Sequence, residues 1–143
     1  MRWQRKRTVY FGDDDSSGLI YFPSYFQYMS EGDQELFAAA GFSVPAQIEA
    51  GITAPAVHAE CDCLAPARAG DVLTHRITMT TGLRSSISSE HEFRNGDIIV
   101  ARRRVVRAFV EMPSLNTVAV PAGLRAALSA AADPTEVRSL DCG

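Results

Sequence analysis

The chain has no long hydrophobic run. Its 143 residues contain no window near the roughly 18 uninterrupted apolar positions that argue a membrane-spanning helix, so a membrane is not an expected partner. The opening MRWQRKR is basic like the leading part of a secretion signal, but the apolar stretch that should follow is broken at once by Gly12 and three aspartates. A soluble, cytoplasmic protein is expected. Cysteine is scarce, with three in the chain. Cys61 and Cys63 stand two apart on an expected strand and Cys142 lies in a polar tail, which suits neither a disulfide nor a zinc site with its four convergent ligands. They read as small apolar fillers in a reducing compartment. Neither sign of charge dominates: 14 Lys and Arg against 17 Asp and Glu leave a formal −3. The whole-molecule field therefore offers nothing to polyanions, nucleic acid is not an expected partner, and any phosphate must be met by local arginines. Histidine is also sparse. Neither His75 nor His91 has an acidic or serine partner at a motif spacing, so no hydrolytic triad is read.

What is present is patterning on the scale of one domain, residues 1–143, large enough to hide roughly 70% of its unfolded surface. Trp3 to Phe11 alternates basic and apolar residues up to Gly12, a strand with one wet face. After the turn DDDSSG the period changes. Phe22, Tyr25, Phe26, Met29, Phe37 and Ala40 recur at helical spacings, Pro23 suits a first turn and Gly41 a stop, so one long helix is predicted over Pro23–Ala40. Gly32 is its weak point, worth about 1 kcal/mol against alanine. A short helix is expected over Pro45–Ala50. From Val57 the period is two. Val57–Cys63, Val72–Thr80, Ser86–Phe93 and Ile98–Val110 read as strands, with Asn95-Gly96 the strongest hairpin signal. Pro121–Ala132 reads as a terminal helix, and the tail beyond Pro134 as frayed. Strand, long helix, then four strands joined mainly by hairpins is an α+β order, in which one antiparallel sheet wraps a single helix.

The string FGDDDSSGLIYFPSYF, between a strand and a helix N-terminus, carries the chemistry. Any one of its aspartates could be a helix cap or a solvated turn residue. The whole string resembles the N-terminal motif of the 4-hydroxybenzoyl-CoA thioesterase family of hot-dog proteins, an Asp-x-Asp-x-x-Gly pattern followed by two apolar residues, paired aromatics and a helix starter. Asp13, Asp15 and Gly18 occupy its fixed places, with Tyr21, Phe22 and Pro23 after them. Downstream, PAVHAECDCLAPARAGDVL is similar to the second-strand region of members acting on 1,4-dihydroxy-2-naphthoyl-CoA. The resemblance extends to about Pro121. It implies the hot-dog fold and an acyl-CoA thioesterase, with Asp15 as the catalytic carboxylate and the backbone N–H of Phe22 as the donor to the thioester carbonyl. Physical chemistry agrees, since hydrolysis needs a nucleophile or a base, a carboxylate can be either, and a free N–H at a helix N-terminus stabilises the developing oxyanion. Asp13 reads as a structural member of the turn. Asp14, often uncharged in the family, either raises the Asp15 pKa or points into solvent. Gly18 allows close approach of substrate or a positive φ.

Coenzyme A presents several anionic oxygens, for which arginine is the best partner. Arg84 lies in the turn where the family often places a basic cluster. Arg102 and Arg104 share one face of the last long strand, Arg103 and Arg107 the other. Tyr21, Phe22, Tyr25 and Phe26 could line an acyl pocket or belong to the core, and His58 could meet a polar acyl substituent or simply sit on a wet strand face. No cofactor is expected, coenzyme A being part of the substrate, and no metal. The resemblance implies dimers that assemble into tetramers, with the site between subunits. Alternatives are an acyl carrier protein as thiol carrier, enoyl-thioester hydration, and a non-catalytic acyl-CoA binder.

Overall fold

A computed structural model describes residues 1–130 and the backbone of residues 138–140. Strand β1 (Arg2–Thr8) leads through a loop to helix α1 (Pro23–Ala39), followed by α2 (Val44–Ala50), β2 (Ile52–Thr53), β3 (Ala56–Ala59) and β4 (Asp62–Cys63). Then come β5 (Val72–Thr81), β6 (Ser86–Asn95), β7 (Ile98–Ala108), β8 (Val110–Glu111), α3 (Ala122–Ala130) and β9 (Arg138–Leu140). The main sheet runs β3-β7-β6-β5-β1-β9, with β4 also on β7, and only the β1–β9 pairing is parallel. This is the expected α+β arrangement, one large antiparallel sheet with α1 against one face. No helix among the described residues is long and apolar enough to cross a membrane. Cys142 and most of the tail beyond Pro134 lie outside the described residues.

Three expectations need adjusting. The strand expected over Val57–Cys63 is two short pieces with a bulge in its pairing to β7. All four residues of β3 are exposed, Val57 at 63%. As an edge strand in this single chain, β3 has nothing to bury its apolar alternate positions against. Cys61 packs on the core but Cys63 is exposed, so only one of them acts as a filler. The β6–β7 turn consists of Gly96-Asp97, because Asn95 still pairs with Ile98 and Gly96 supplies the positive φ.

Helix α1 sets the core. Tyr25, Tyr28, Met29, Gly32, Asp33, Leu36 and Phe37 are its buried stripe, the i, i+3, i+4, i+7 pattern of a helix lying on a sheet. At each end the stripe is apolar. Tyr25, Tyr28 and Met29 join Val9, Leu73, Phe93, Val100 and Val105. Leu36 and Phe37 join Met1, Trp3, Ile77, Met79, Ile87 and Phe109. In the middle, Gly32 and Asp33 face a polar layer contributed by three strands.

Asp33 is fully buried and pairs through Oδ2 with Arg107 Nε at 2.9 Å. Arg107 also donates to the Ala54 carbonyl at 3.1 Å. His91 Nε2 lies 3.2 Å from Asp33 Oδ1 and 2.9 Å from Ser89 Oγ. His75 Nε2 and His91 Nδ1 lie 2.8 Å apart, one donating to the other, and His75 Nδ1 has no partner among the described residues. The His75 ring stacks on Phe93 at 4.1 Å. Burial pushes the Asp33 carboxyl up, but His91, Arg107 and Ser89 outweigh it and hold it below the usual range. Burial, then His91 and Arg5, hold His75 neutral, well below an ordinary histidine. Neither histidine has an acidic or serine partner at a motif spacing, but the fold supplies one: 58 residues of sequence separate Asp33 from His91, and the fold closes the gap. Sealed from solvent, with Asp33 and Ser89 sharing one ring nitrogen, the cluster is a structural layer and not a hydrolytic triad.

Gly32 belongs to the same layer. A Cβ there would sit 2.5 Å from Ile77 Cδ1 and 2.6 Å from His75 Cε1. The weak point in the helix is thus what lets α1 approach β5. Gly32→Ala gains about 1 kcal/mol in helix propensity but must displace a ring held by His91 and Phe93, an overpacking that costs typically 1–3 kcal/mol. Denaturant titration should show net destabilisation.

Acid should also destabilise the fold. The unfolded chain takes up a proton on His75 as pH falls through about 6.5, while the folded chain does not, so stability drops with a slope approaching ~1.4 kcal/mol per pH unit. Asp33 adds a further loss below the carboxylate range. Urea midpoints between pH 7 and 5 check this. His75→Gln, which keeps a donor for His91 but does not titrate, should flatten the slope.

Candidate active site

The loop between β1 and α1 is anchored before it begins. Val9 is fully buried and exchanges backbone bonds with Asp71 and Gly70 at 2.8 and 2.7 Å. Beyond it Tyr10 and Phe11 turn outward, 60% and 95% exposed, and the strand expected to reach Phe11 stops at Thr8.

Asp13 holds the loop together. Its Oδ2 accepts from the Tyr28 hydroxyl at 2.7 Å and the Tyr10 N–H at 3.0 Å, with Arg7 at 3.5 Å. Its carbonyl accepts from the Tyr21 N–H at 2.8 Å and Ser24 Oγ at 3.0 Å. Arg7 lies over the Tyr28 ring, 4.3 Å from the centroid, and pairs with Glu31 at 2.9 Å. One aspartate therefore ties the end of β1 to the first two turns of α1, the structural role expected of it. Asp14 turns a carboxylate oxygen back to the Gly12 N–H at 3.0 Å.

Asp15 sits at the open end of a small hairpin-like turn, closed by the Asp14–Ile20 and Leu19–Arg68 bridges. Its N–H donates to the Leu19 carbonyl at 2.8 Å and its carbonyl accepts from the Gly18 N–H at 3.1 Å. Oδ1 accepts from the Ser17 N–H at 2.8 Å and from the Ser17 hydroxyl. The Ser17 hydroxyl, then its N–H, hold the carboxyl below the usual carboxylate range, so the net effect on Asp15 is opposite to what a neighbouring like charge alone would do. Gly18 has φ +78° with open space around a built Cβ. Its requirement is conformational.

Helix α1 opens with an unusual shortage of donors. Pro23 has no N–H, and those of Ser24 and Tyr25 return to the Tyr21 and Phe22 carbonyls at 2.8 and 3.2 Å. Phe22 already has helical dihedrals, φ −55° and ψ −34°. No acceptor for its N–H is found among the described residues, so it is the free amide at the positive end of the helix. The Tyr21 and Phe22 side chains are 49% and 60% exposed, with ring centroids 5.5 Å apart.

The other candidates divide. Tyr25 is buried at 1% exposure, its ring 5.2 Å from Phe93 and its hydroxyl without a partner, a core residue just below the helix start. His58 is exposed on β3, paired with Glu60 at 3.5 Å, and three strands separate it from β1. Arg84 is exposed in the β5–β6 turn. The loop abuts the Asp71 end of β5, so the ten residues of that strand, roughly 33 Å, separate Arg84 from the loop within one chain. Of the strand arginines, Arg103 and Arg104 pair with Asp62 and Glu60 at 2.7 and 2.9 Å, and Arg107 serves the buried layer. A concavity of about 550 Å³ lies away from the loop; it is lined by residues of both charges, among them Arg2, Arg76, Glu90, Glu92 and Arg102. Asp15, Gly18, Tyr21 and Phe22 thus share one exposed loop leading into α1, and His58 and Arg84 lie elsewhere.

Known proteins share this plan. A family model described as the thioesterase-like superfamily matches residues 9–128. A 1,4-dihydroxy-2-naphthoyl-CoA hydrolase of Synechocystis is 27% identical over 119 residues, covering 81% of this chain and 86% of that one. The enzyme of the same name from Synechococcus elongatus is 25% identical over 133 residues, covering 92% and 98%. Among solved structures, a Synechocystis 1,4-dihydroxy-2-naphthoyl-CoA thioesterase superposes with TM-score 0.84 at 24% identity, covering 90% and 96%. A gentisyl-coenzyme A thioesterase superposes with TM-score 0.78 at 25% identity, covering 85% and 98%. With the hot-dog arrangement already evident in the sheet and α1, the match across 9–128 means that the chain belongs to the thioesterase-like superfamily as a hot-dog thioester hydrolase.

Proposed function

We propose that the protein hydrolyses an aryl-CoA or related acyl-CoA thioester to the free acid and coenzyme A, with Asp15 as nucleophile or general base. The observation that carries this reading is the presence, on one exposed loop, of an ionised carboxylate and of a helix N-terminus whose free amide is that of Phe22. A thioester carbonyl placed on that N–H is polarised toward the charge it must develop. The carboxylate then attacks the acyl carbon itself or takes a proton from an attacking water. No cofactor is needed for either route.

The aromatic preference is supported by the exposed Tyr21 and Phe22 rings and by the names of two relatives, a 1,4-dihydroxy-2-naphthoyl-CoA hydrolase and a gentisyl-coenzyme A thioesterase. Coenzyme A is favoured over an acyl carrier protein by those same names. The site is completed by a second copy of the chain: Asp15 is fully solvated in a single chain, β3 is an exposed edge with Val57 uncovered, and a distant Arg84 can reach a nucleotide only across subunits. Light scattering should find a dimer or tetramer, and an active monomer would contradict this.

The two aspartates of the motif separate experimentally. Asp15→Asn should lower thiol release by about 10²–10⁴-fold with unchanged thermal stability, across a panel of aryl, phenylacetyl, hydroxynaphthoyl and straight-chain CoA thioesters. Full turnover in that variant would sink the assignment. Asp13→Ala strands the buried Tyr28 hydroxyl and should cost about 1–3 kcal/mol of stability, read as a lower urea midpoint.

A further inference from the structure

We propose that Ser17 is a positioning residue for this hydrolysis: it holds one carboxylate oxygen of Asp15, Oδ1, and thereby reserves Oδ2 as the reacting atom. The inference rests on the reading of Asp15 as the catalytic carboxylate and adds a residue, and an atom, that the motif does not specify. The family pattern leaves the two places before Gly18 to small residues or proline. Here they are Ser16 and Ser17.

The geometry is directional. Oδ1 receives both the N–H of Ser17, at 2.8 Å, and its hydroxyl. The Leu19 N–H approaches Ser17 Oγ at 3.4 Å, a donor that obliges the serine oxygen to act there as acceptor. The hydroxyl proton is thus turned toward Asp15 and away from the chain behind it. Asp15 is held at both ends, its main chain by Leu19 and Gly18 and its side chain by Ser17. The Leu19 and Asp15 N–H groups also act on the carboxyl, more weakly than Ser17, but among the described residues no hydrogen bond of ordinary length reaches Oδ2. The turn that makes this possible needs the positive φ of Gly18.

The arrangement survives the reaction by either route. If Asp15 is a base, Oδ2 takes a proton from water, the water oxygen bonds to the acyl carbon, the C–S bond breaks and the thiolate leaves with that proton. If Asp15 is a nucleophile, Oδ2 bonds to the acyl carbon as the C–S bond breaks, and water later cleaves the anhydride. In both, Oδ1 remains an acceptor and keeps its two donors. Preorganisation of this kind needs no rearrangement at the moment of attack.

Orientation and basicity pull in opposite directions here, which makes the test sharp. The same two bonds keep Asp15 a weaker base than a free carboxylate, so removing the hydroxyl should make the group more basic while loosening it. Were Ser17 acting through charge alone, its loss would speed the reaction. The test uses the full chain with 1-hydroxy-2-naphthoyl-CoA as probe. Ser17→Ala should lower kcat about ten-fold with KM within about two-fold, since Ser17 does not touch substrate, and should move the ¹³Cγ titration of Asp15 upward. Ser17→Thr, which restores the hydroxyl, should recover most of kcat. A kcat for Ser17→Ala at or above wild type, a change confined to KM, an unmoved titration, or a threonine variant as slow as the alanine one would overturn the proposal. Asp15→Asn is measured alongside. If it turns over normally the catalytic reading itself fails, whereas an inert Asp15→Asn beside an unimpaired Ser17→Ala overturns only the role of Ser17.

Discussion

One buried carboxylate seats the helix on the sheet. Asp33 is shared between Arg107 of β7 and His91 of β6, while Gly32 beside it lets the backbone close on His75 of β5. A charge at that depth is tolerated because Arg107 Nε meets Oδ2 at 2.9 Å and His91 Nε2 lies 3.2 Å from Oδ1, and removing either would leave Asp33 less compensated. An all-apolar interface would let α1 slide or rotate with small penalties. A single ion at mid-helix, with apolar clusters on either side, fixes both its position along the sheet and its rotation.

The site inherits that placement. Asp33 lies ten residues beyond the first residue of α1, about 15 Å along the axis, so fixing it fixes where the helix begins. The loop from β1 then has to reach that point. Asp13 spans the gap with its carboxylate on Tyr28 and Tyr10 and its carbonyl on Tyr21 and Ser24. Two residues on, Asp15 is left facing outward on the same loop that ends at the Phe22 amide. Because Pro23 has no N–H to offer, the helix presents one free donor there and not several.

Much of this was legible in the sequence because it depends on neighbours. The helix from Pro23, the strands opening at Val72, Ser86 and Ile98, the stop at Gly41 and the Asp-x-Asp-x-x-Gly turn are all short-range signals, and the structure places that helix and those three strands within two residues of expectation. What escaped depends on contacts between distant segments. Asp33 stands in the buried stripe where a pattern search expects an apolar residue, and its partners are 58 and 74 residues away. Gly32 read as a weakness because helix propensity is local, whereas its use is the approach of β5. His75 and His91 alternate correctly with apolar residues on their strands, but nothing near them announces that they touch each other. Arg84 shows the converse limit. A basic residue in the right turn says nothing about which chain's loop it faces, and here the length of β5 separates it from its own.

The account is tested most directly by a crystal structure of the Asp15→Asn variant holding an intact hydroxynaphthoyl-CoA. It predicts the thioester carbonyl oxygen about 3 Å from the Phe22 nitrogen, with the acyl carbon facing residue 15. A thioester bound with its carbonyl directed at any other donor, or away from the start of α1, would contradict it.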